Sequence, residues 1–139
     1  MFKSIDLWLK KHICPTKSDS SIDPHQAVYY VASSMDRQSR QAIDLIISQF
    51  PFSCQHETDP ARLTAYRTTF VFFNLQSKRS CHQIHRLYGQ QMLTDAILVG
   101  FKVGRDRPLQ AFSNINVHVV DIDLAYSITS FTSEILERD

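Results

Sequence analysis

Apolar residues recur along the chain at the three- and four-residue spacing that places side chains on one face of an α-helix. The first stripe covers residues 1–13, and a polar, serine-rich linker follows at 14–23. Further stripes run through 24–50, 60–76, 80–99 and 115–137. The pattern therefore predicts an amphipathic N-terminal helix at 1–13, a linker, and a single helical core domain at 24–139.

Aspartate, serine and proline mark where the predicted helices begin and end. Asp23 and Asp59 each precede a proline, which is the arrangement of an N-cap followed by a residue that needs no amide hydrogen. Ser80 with Gln83 resembles a capping box. Pro51 ends the stripe that begins after Asp23, so three of the predicted helical segments, 24–50, 60–76 and 80–99, have a start of their own.

The chain contains only three glycines, fewer than the frequent turns of a β-sandwich or barrel require. Their spacing matches none of the glycine-rich loops that hold phosphates. We therefore expect a mainly α fold, a compact single-domain bundle of five or six helices built around residues 60–99.

Three segments also carry a pattern that is typical of strands, namely 64–75, 97–103 and 111–120. The first is rich in β-branched and aromatic residues, and the other two alternate between apolar and polar positions. We interpret all three as helical because apolar stripes at helical spacing run through them. The alternative is an α+β fold with a small hairpin at about 97–120 and a shorter last helix.

Cysteine content and hydropathy indicate the cellular compartment in which the protein is expected. Three cysteines in 139 residues do not form a disulfide framework, which favours a reducing environment. No segment reaches the roughly 18 consecutive apolar residues of a membrane-spanning helix. The first residues lack both the unbroken apolar stretch and the cleavage site of a secretory signal. We expect a cytoplasmic protein that is not an integral membrane protein.

Histidines and cysteines fall in pairs that suggest a possible metal site. Zinc prefers thiolate and imidazole ligands, and Cys81 and His85 are one helical turn apart. Cys54 and His56 follow the second predicted helix and could complete a tetrahedral set. Because no C-x-x-C or H-E-x-x-H motif is present, we favour buried cysteines, surface histidines and no cofactor. Zinc bound by these four residues is the alternative.

No catalytic set stands out in the sequence. Cys81 and His82 are adjacent, but neighbouring side chains on a helix point about 100° apart. The acidic pair Asp121 and Asp123 would need phosphate and water co-ligands to hold Mg²⁺, and a solvated helix face is the simpler interpretation. A small metal- or thiol-dependent enzyme centred on Cys81, His82 and His85 is kept as an alternative.

Charge is uneven along a chain whose formal net charge is only +1. Residues 78–107 carry six Lys and Arg against two Asp, whereas 108–139 carry one Arg against five acidic residues. Lys78, Arg79 and Arg86 could contact nucleic acid. A sequence pI of about 7.8 makes a nucleic-acid-binding protein the less favoured class, because proteins dedicated to binding nucleic acid are usually more basic.

These observations favour a non-catalytic interaction protein of the adaptor, chaperone-like, immunity or inhibitor type that acts through a helical surface. Its expected partner is another protein, a second copy of the chain in a homodimer, or both. The residues expected to make these contacts are exposed apolar and basic side chains: Phe2, Trp8, Lys78, Arg79, Arg86, Arg105 and Arg107.

Overall fold

A computed structural model describes residues 22–33, 35–104 and 115–137. The predicted N-terminal helix and most of the linker, together with the predicted contact residues Phe2, Trp8, Arg105 and Arg107, lie outside these ranges. Within them, the elements in chain order are β1 (Ala27–Val31), α1 (Arg37–Gln49), β2 (Cys54–His56), a 3-10 helix (Pro60–Ala65), β3 (Thr69–Asn74), α2 (Lys78–Gly89), β4 (Ile97–Lys102), β5 (Val117–Asp121) and α3 (Ala125–Glu137).

The prediction of a helical bundle is wrong, because the protein has an α/β fold with an all-parallel sheet. The described strands lie side by side in the order β2-β1-β3-β4-β5, one of the two common orders of doubly wound folds. The alternative hairpin is also wrong. Its two segments do pair as β4 and β5, but in parallel, with Leu98 opposite Val117.

Burial on both faces explains why the sequence pattern predicts helices where the structure has strands. A parallel strand with helices on each side becomes a continuous apolar run, and such a run satisfies helical spacing as well as strand spacing. In β3, residues 70–73 are Phe, Val, Phe and Phe, and each is fully buried. Periodicity alone therefore cannot distinguish this six-residue strand from a helix.

The capping residues mark boundaries, although several belong to other elements than predicted. Asp36 is the N-cap of α1, and Asp59 is the N-cap of the 3-10 helix rather than of a long helix. Asp23 begins a turn that leads into β1. Ser77, rather than Ser80, caps α2. The last helix begins at Ala125 and not at about 115, because the residues before it form β5.

Each face of the sheet has its own apolar cluster. On the first face, α1 and α3 pack on the sheet and enclose Ile46, Phe72 and Phe131 among other residues. On the second face, α2 and the 3-10 helix enclose Leu63, Val71 and Ile84 among others. The connection from β1 to β2 runs on the first face. The connections from β2 to β3 and from β3 to β4 run on the second face. Right-handed crossovers require this change of face when the chain reverses its direction across the sheet.

Candidate functional site

The strand order places a topological switch at the carboxyl ends of β1 and β3. These strands are neighbours, and the chain leaves them in opposite directions, into α1 on one face and into α2 on the other. In doubly wound sheets the crevice outside such a pair of strand ends is the usual position for a binding site. Among the described residues, 32–33, 35–36 and 74–78 surround it.

Gln83 of α2 connects this crevice to β1. Its side-chain oxygen accepts hydrogen bonds from the Ser33 backbone amide at 2.9 Å and from the Ser33 hydroxyl at 2.7 Å. Its amide group donates to the Tyr30 hydroxyl at 2.8 Å. Since Tyr30 lies in β1, these three bonds hold α2 in one position relative to the end of that strand.

The outer surface of α2 is basic along its whole length. Five exposed side chains form it, and we call them the α2 basic face: Lys78, Arg79, His82, His85 and Arg86. The helix contains no acidic residue. Its inner surface is the opposite in character, with Ile84 and Leu87 buried in the second apolar cluster. This amphipathic pattern orients the helix so that all its cations face outward.

A shallow depression joins the crevice to the α2 basic face. It has a volume of about 280 Å³ and is lined by Ser33, Arg79, His82, Gln83 and Arg86. Three of these five side chains belong to the basic face. Sequence analysis named Lys78, Arg79 and Arg86 as contact residues, and the structure places all three on this exposed helix surface.

Asp121 ends β5 and organises the loops beside it. Its carboxylate accepts hydrogen bonds from the backbone amides of Asp123 at 3.0 Å and Gly104 at 3.2 Å, and from the Lys102 ammonium at 3.3 Å. The amide of Asp123, followed by those other donors, holds the pKa of Asp121 below its usual range. Gly104 has a φ of +59°, which suits glycine in this turn.

The four predicted zinc ligands lie in different layers of the molecule. Cys54 packs against the apolar cluster under α1 and α3, whereas Cys81 belongs to the cluster on the other face. His56 is on edge strand β2, and His85 is on the outer surface of α2. The structure thus does not bring the four together. Across 22–33, 35–104 and 115–137, no group of three His, Cys, Asp or Glu is placed to hold a metal.

Both described thiols are in environments that suppress their reactivity. Burial raises the pKa of Cys54 to about 12 and also raises the pKa of Cys81. The Cys81 sulfur lies 3.6 Å from the carbonyl oxygens of Asn74 and Leu75, to which it can donate weakly. Reactive cysteines have a lowered pKa and an electropositive, accessible setting. Cys81 therefore has the properties of a small core residue.

The sequence pattern indicates no role for Ser33 and only a helix cap for Gln83. It also gives no signal for Arg40 and Asp44, which lie one turn apart on α1. Recognising the strand that precedes α1 would have directed attention to Ser33, because polar residues just after a parallel strand lie at the ligand-binding edge.

Two further results bear on identity. None of the helices in the described part of the chain is both long enough and apolar enough to span a membrane. Comparisons of the chain with protein-family models, with curated proteins and with solved structures gave no match.

Proposed function

We propose that this protein is a non-catalytic interaction protein that binds an acidic surface of a partner protein through the α2 basic face. The observation that supports it most directly is the single-sign charge of that face, with three permanently charged side chains and two histidines on a helix without acids. Gln83 adds to the argument, since it holds the helix in a fixed position before any partner arrives.

The composition of the face favours a protein partner over nucleic acid. Arg79 and Arg86 outnumber Lys78, and Tyr88 at the end of the same helix is 44% exposed. Arg and Tyr are enriched in protein–protein interfaces, where they supply much of the binding energy. Neutralising only three phosphates gives a logarithmic salt slope of about −2.7, which corresponds to weak binding at physiological salt.

Charge reversal on α2, with a matched charge reversal elsewhere, tests the proposal. The double variant Arg79→Glu/Arg86→Glu is compared with Arg37→Glu/Arg67→Glu, which reverses two exposed charges elsewhere. Each tagged protein is used to capture proteins from a lysate of its source cells, and quantitative mass spectrometry identifies them. We expect a set of acidic proteins that binds to the unaltered chain and to the control but is lost with the α2 variant.

Equal binding of that set to both variants would contradict the proposal. A mobility-shift assay with duplex and single-stranded DNA at low salt examines the other class of partner. A shift that weakens steeply with salt and disappears with Arg79→Glu/Arg86→Glu would assign the face to nucleic acid instead.

Self-association is a second candidate because of exposed apolar side chains near β5. Val119 is 51% exposed and Tyr126 is 68% exposed. Among the described strands β5 lies at an edge of the sheet, and an exposed apolar edge strand can pair with a second copy across a twofold axis. Light scattering tests this, since Val119→Lys should convert a dimer to a monomer. A monomer mass for the unaltered protein would exclude it.

A further inference from the structure

A cavity of about 440 Å³ opens between α1 and the carboxyl ends of β1 and β2. This volume is within the roughly 300–1,000 Å³ of typical small-molecule sites. Apolar side chains of Val31, Met35 and Ile43 line part of it, and polar groups line the rest. We call it the β1–β2 cavity. It shares Ser33 with the depression beside the α2 basic face, but none of its lining residues belongs to α2.

Two aromatic rings stacked face to face line one side of this cavity. Tyr29 and His56 are register partners in the parallel pair β1 and β2, and both line the cavity. Their ring centroids are 4.8 Å apart and their planes differ by only 9°. Phe72 contacts Tyr29 edge-on at 6.0 Å and so holds it in place. Because the two rings face each other, what both present to the cavity is their edges, which suit an edge-to-face contact with an aromatic ring of a ligand.

Two opposite charges stand on the helix wall of the same cavity. Arg40 and Asp44 are one turn apart on α1, and both line the cavity. Neither side chain takes part in an ion pair with another described residue. The Asp44 charge reaches the stacked rings, because after burial it is the next largest cause of the raised pKa of Tyr29. Thr58 and Ser33 add hydroxyl groups.

The charge balance of the wall argues against phosphate ligands. A phosphate would meet Asp44 together with Arg40, so the repulsion would offset the attraction. The N-terminus of α1 offers little compensation, since the Asp36 carboxylate already accepts the Ser39 amide at 2.8 Å. A ligand that carries one negative and one positive group a few ångströms apart satisfies both residues.

We propose that the β1–β2 cavity binds an aromatic α-amino acid. The ligand carboxylate pairs with the Arg40 guanidinium, the ligand ammonium pairs with the Asp44 carboxylate, and the ligand ring packs against the edges of Tyr29 and His56. Arg forms two parallel hydrogen bonds with a carboxylate, which fixes the orientation of the ligand. This inference goes beyond the proposed function, because it requires no protein partner and no residue of α2.

Heteronuclear NMR titration of the full chain with L-tryptophan tests it. We expect saturable shifts of amide signals around the cavity, with L-phenylalanine and L-tyrosine competing. Indole-3-propionate lacks the ammonium group and tryptamine lacks the carboxylate, so each should bind roughly tenfold more weakly or worse, as loss of a charge-assisted hydrogen bond implies. Because these comparisons use the unaltered protein, they do not depend on whether a variant folds.

Two variants with a matched control complete the experiment. Arg40→Met and Asp44→Asn should each weaken L-tryptophan binding by a similar factor, whereas Arg37→Met on the same helix, outside the cavity, should leave it unchanged. Arg79→Glu/Arg86→Glu should also leave it unchanged, so failure here is distinguishable from failure of the docking face. The proposal is overturned by absence of saturable binding at about 10 mM ligand, by tighter binding of adenosine monophosphate, or by equal effects of Arg40→Met and Arg37→Met.

Discussion

The two layers that cover the sheet differ in the helices they contain and in how they are held. On the first face, α1 and α3 lie side by side, and stacked phenylalanines fill the space beneath them, with Phe50 and Phe70 centroids 4.9 Å apart and Phe72 and Phe101 centroids 5.7 Å apart. On the second face, α2 has only the short 3-10 helix beside it in the described part of the chain. The first layer therefore has two long helices over stacked phenylalanines, and the second, which we call the thin layer, has one long helix.

The thin layer depends more on specific hydrogen bonds. The Ser80 hydroxyl, on the inner side of α2, is fully buried and accepts the Asn74 backbone amide at 3.0 Å. Gln83 bonds to both Tyr30 and Ser33. A helix positioned by such bonds keeps its orientation while its outer surface remains open. We infer that α2 can present a docking face because its five basic side chains are exposed in the described part of the chain. The first layer contributes differently, since α1 completes the core with Ile46 and also lines the β1–β2 cavity with Arg40 and Asp44.

Truncating one buried isoleucine in each layer gives the largest expected effect. Ile46 of α1 and Ile84 of α2 are both fully buried. Ile→Ala at either position should lower the free energy of unfolding by about 2–5 kcal/mol, because it removes apolar contacts and leaves a cavity. Ile46→Ala should lower the free energy of unfolding by more, since side chains held between two helices can move less to fill the cavity. Urea denaturation monitored by circular dichroism measures both values, and an equal or larger loss for Ile84→Ala would contradict the difference between layers.

Gly100 gives a smaller effect that depends on one neighbour. A Cβ atom at this position would lie 2.5 Å from the Leu75 Cγ atom and 2.7 Å from its Cδ1 atom. Gly100→Ala should therefore cost about 1–3 kcal/mol through overpacking of the second layer.

Leu75 supplies the control for this overpacking. If the clash is with its side chain, Gly100→Ala should cost much less in a Leu75→Ala background, and a double-mutant cycle measures that coupling. Additive effects of the two substitutions would mean that the cost lies in the backbone of β4 and not in this contact.

The elements that sequence predicts well are those with local chemical signals. Asp59 marks a real start, and the apolar stripe with basic flanks at Lys78, Arg79 and Arg86 identifies an amphipathic, outward-facing helix. The strand-like patterns at 64–75, 97–103 and 111–120 are visible in the sequence, but they cannot be separated from helical stripes because the signal that distinguishes them is not local. Phe70 to Phe73 is apolar at every position only because both layers cover it, and those layers form from residues distant in sequence.

The candidate sites divide in the same way. The cations of the α2 basic face were identifiable because they share one helix. The β1–β2 cavity was not, because Arg40, Asp44, Tyr29 and His56 come from three elements whose proximity depends on the parallel pairing of β1 and β2. The alternating pattern at 97–103 was a local indication that this segment is not a simple helix, and Gly100 within it lies in β4 against Leu75.

Substitutions at the N-cap residues of α1 and α2 compare the two layers through a change of about 1 kcal/mol in the free energy of unfolding. Asp36 accepts the Ser39 amide in the first layer, and Ser77 accepts the Ser80 amide at 3.2 Å in the second. Either residue replaced by Ala should cost about 0.5–2 kcal/mol at pH 7. Only Asp36→Ala should depend on pH. Hydrogen bonds from Ser39 hold the pKa of Asp36 below its usual 3.8, so this stabilisation is present above the unfolded pKa.

The cost of Asp36→Ala should consequently shrink as the pH falls through the native pKa, whereas the cost of Ser77→Ala should stay constant. Thermal unfolding followed between pH 7 and pH 2.5 tests this. A constant cost for Asp36→Ala over that range would show that its charge contributes nothing to the cap.

The smallest expected effect concerns alkylation of the two described cysteines. Cys54 packs against the first apolar cluster and Cys81 belongs to the second. Burial raises the pKa of both Cys54 and Cys81, so at pH 8 very little of either is thiolate, the form that reacts. We expect neither to be alkylated by iodoacetamide in the native state during the time that labels the unfolded chain fully, as measured by peptide mapping. Near the unfolding midpoint Cys81 should become reactive first, if the thin layer opens more easily. A native Cys81 that reacts faster than the same residue in the unfolded chain would instead support a thiol-dependent enzyme. It would also contradict the view that α2 acts only through its outer face.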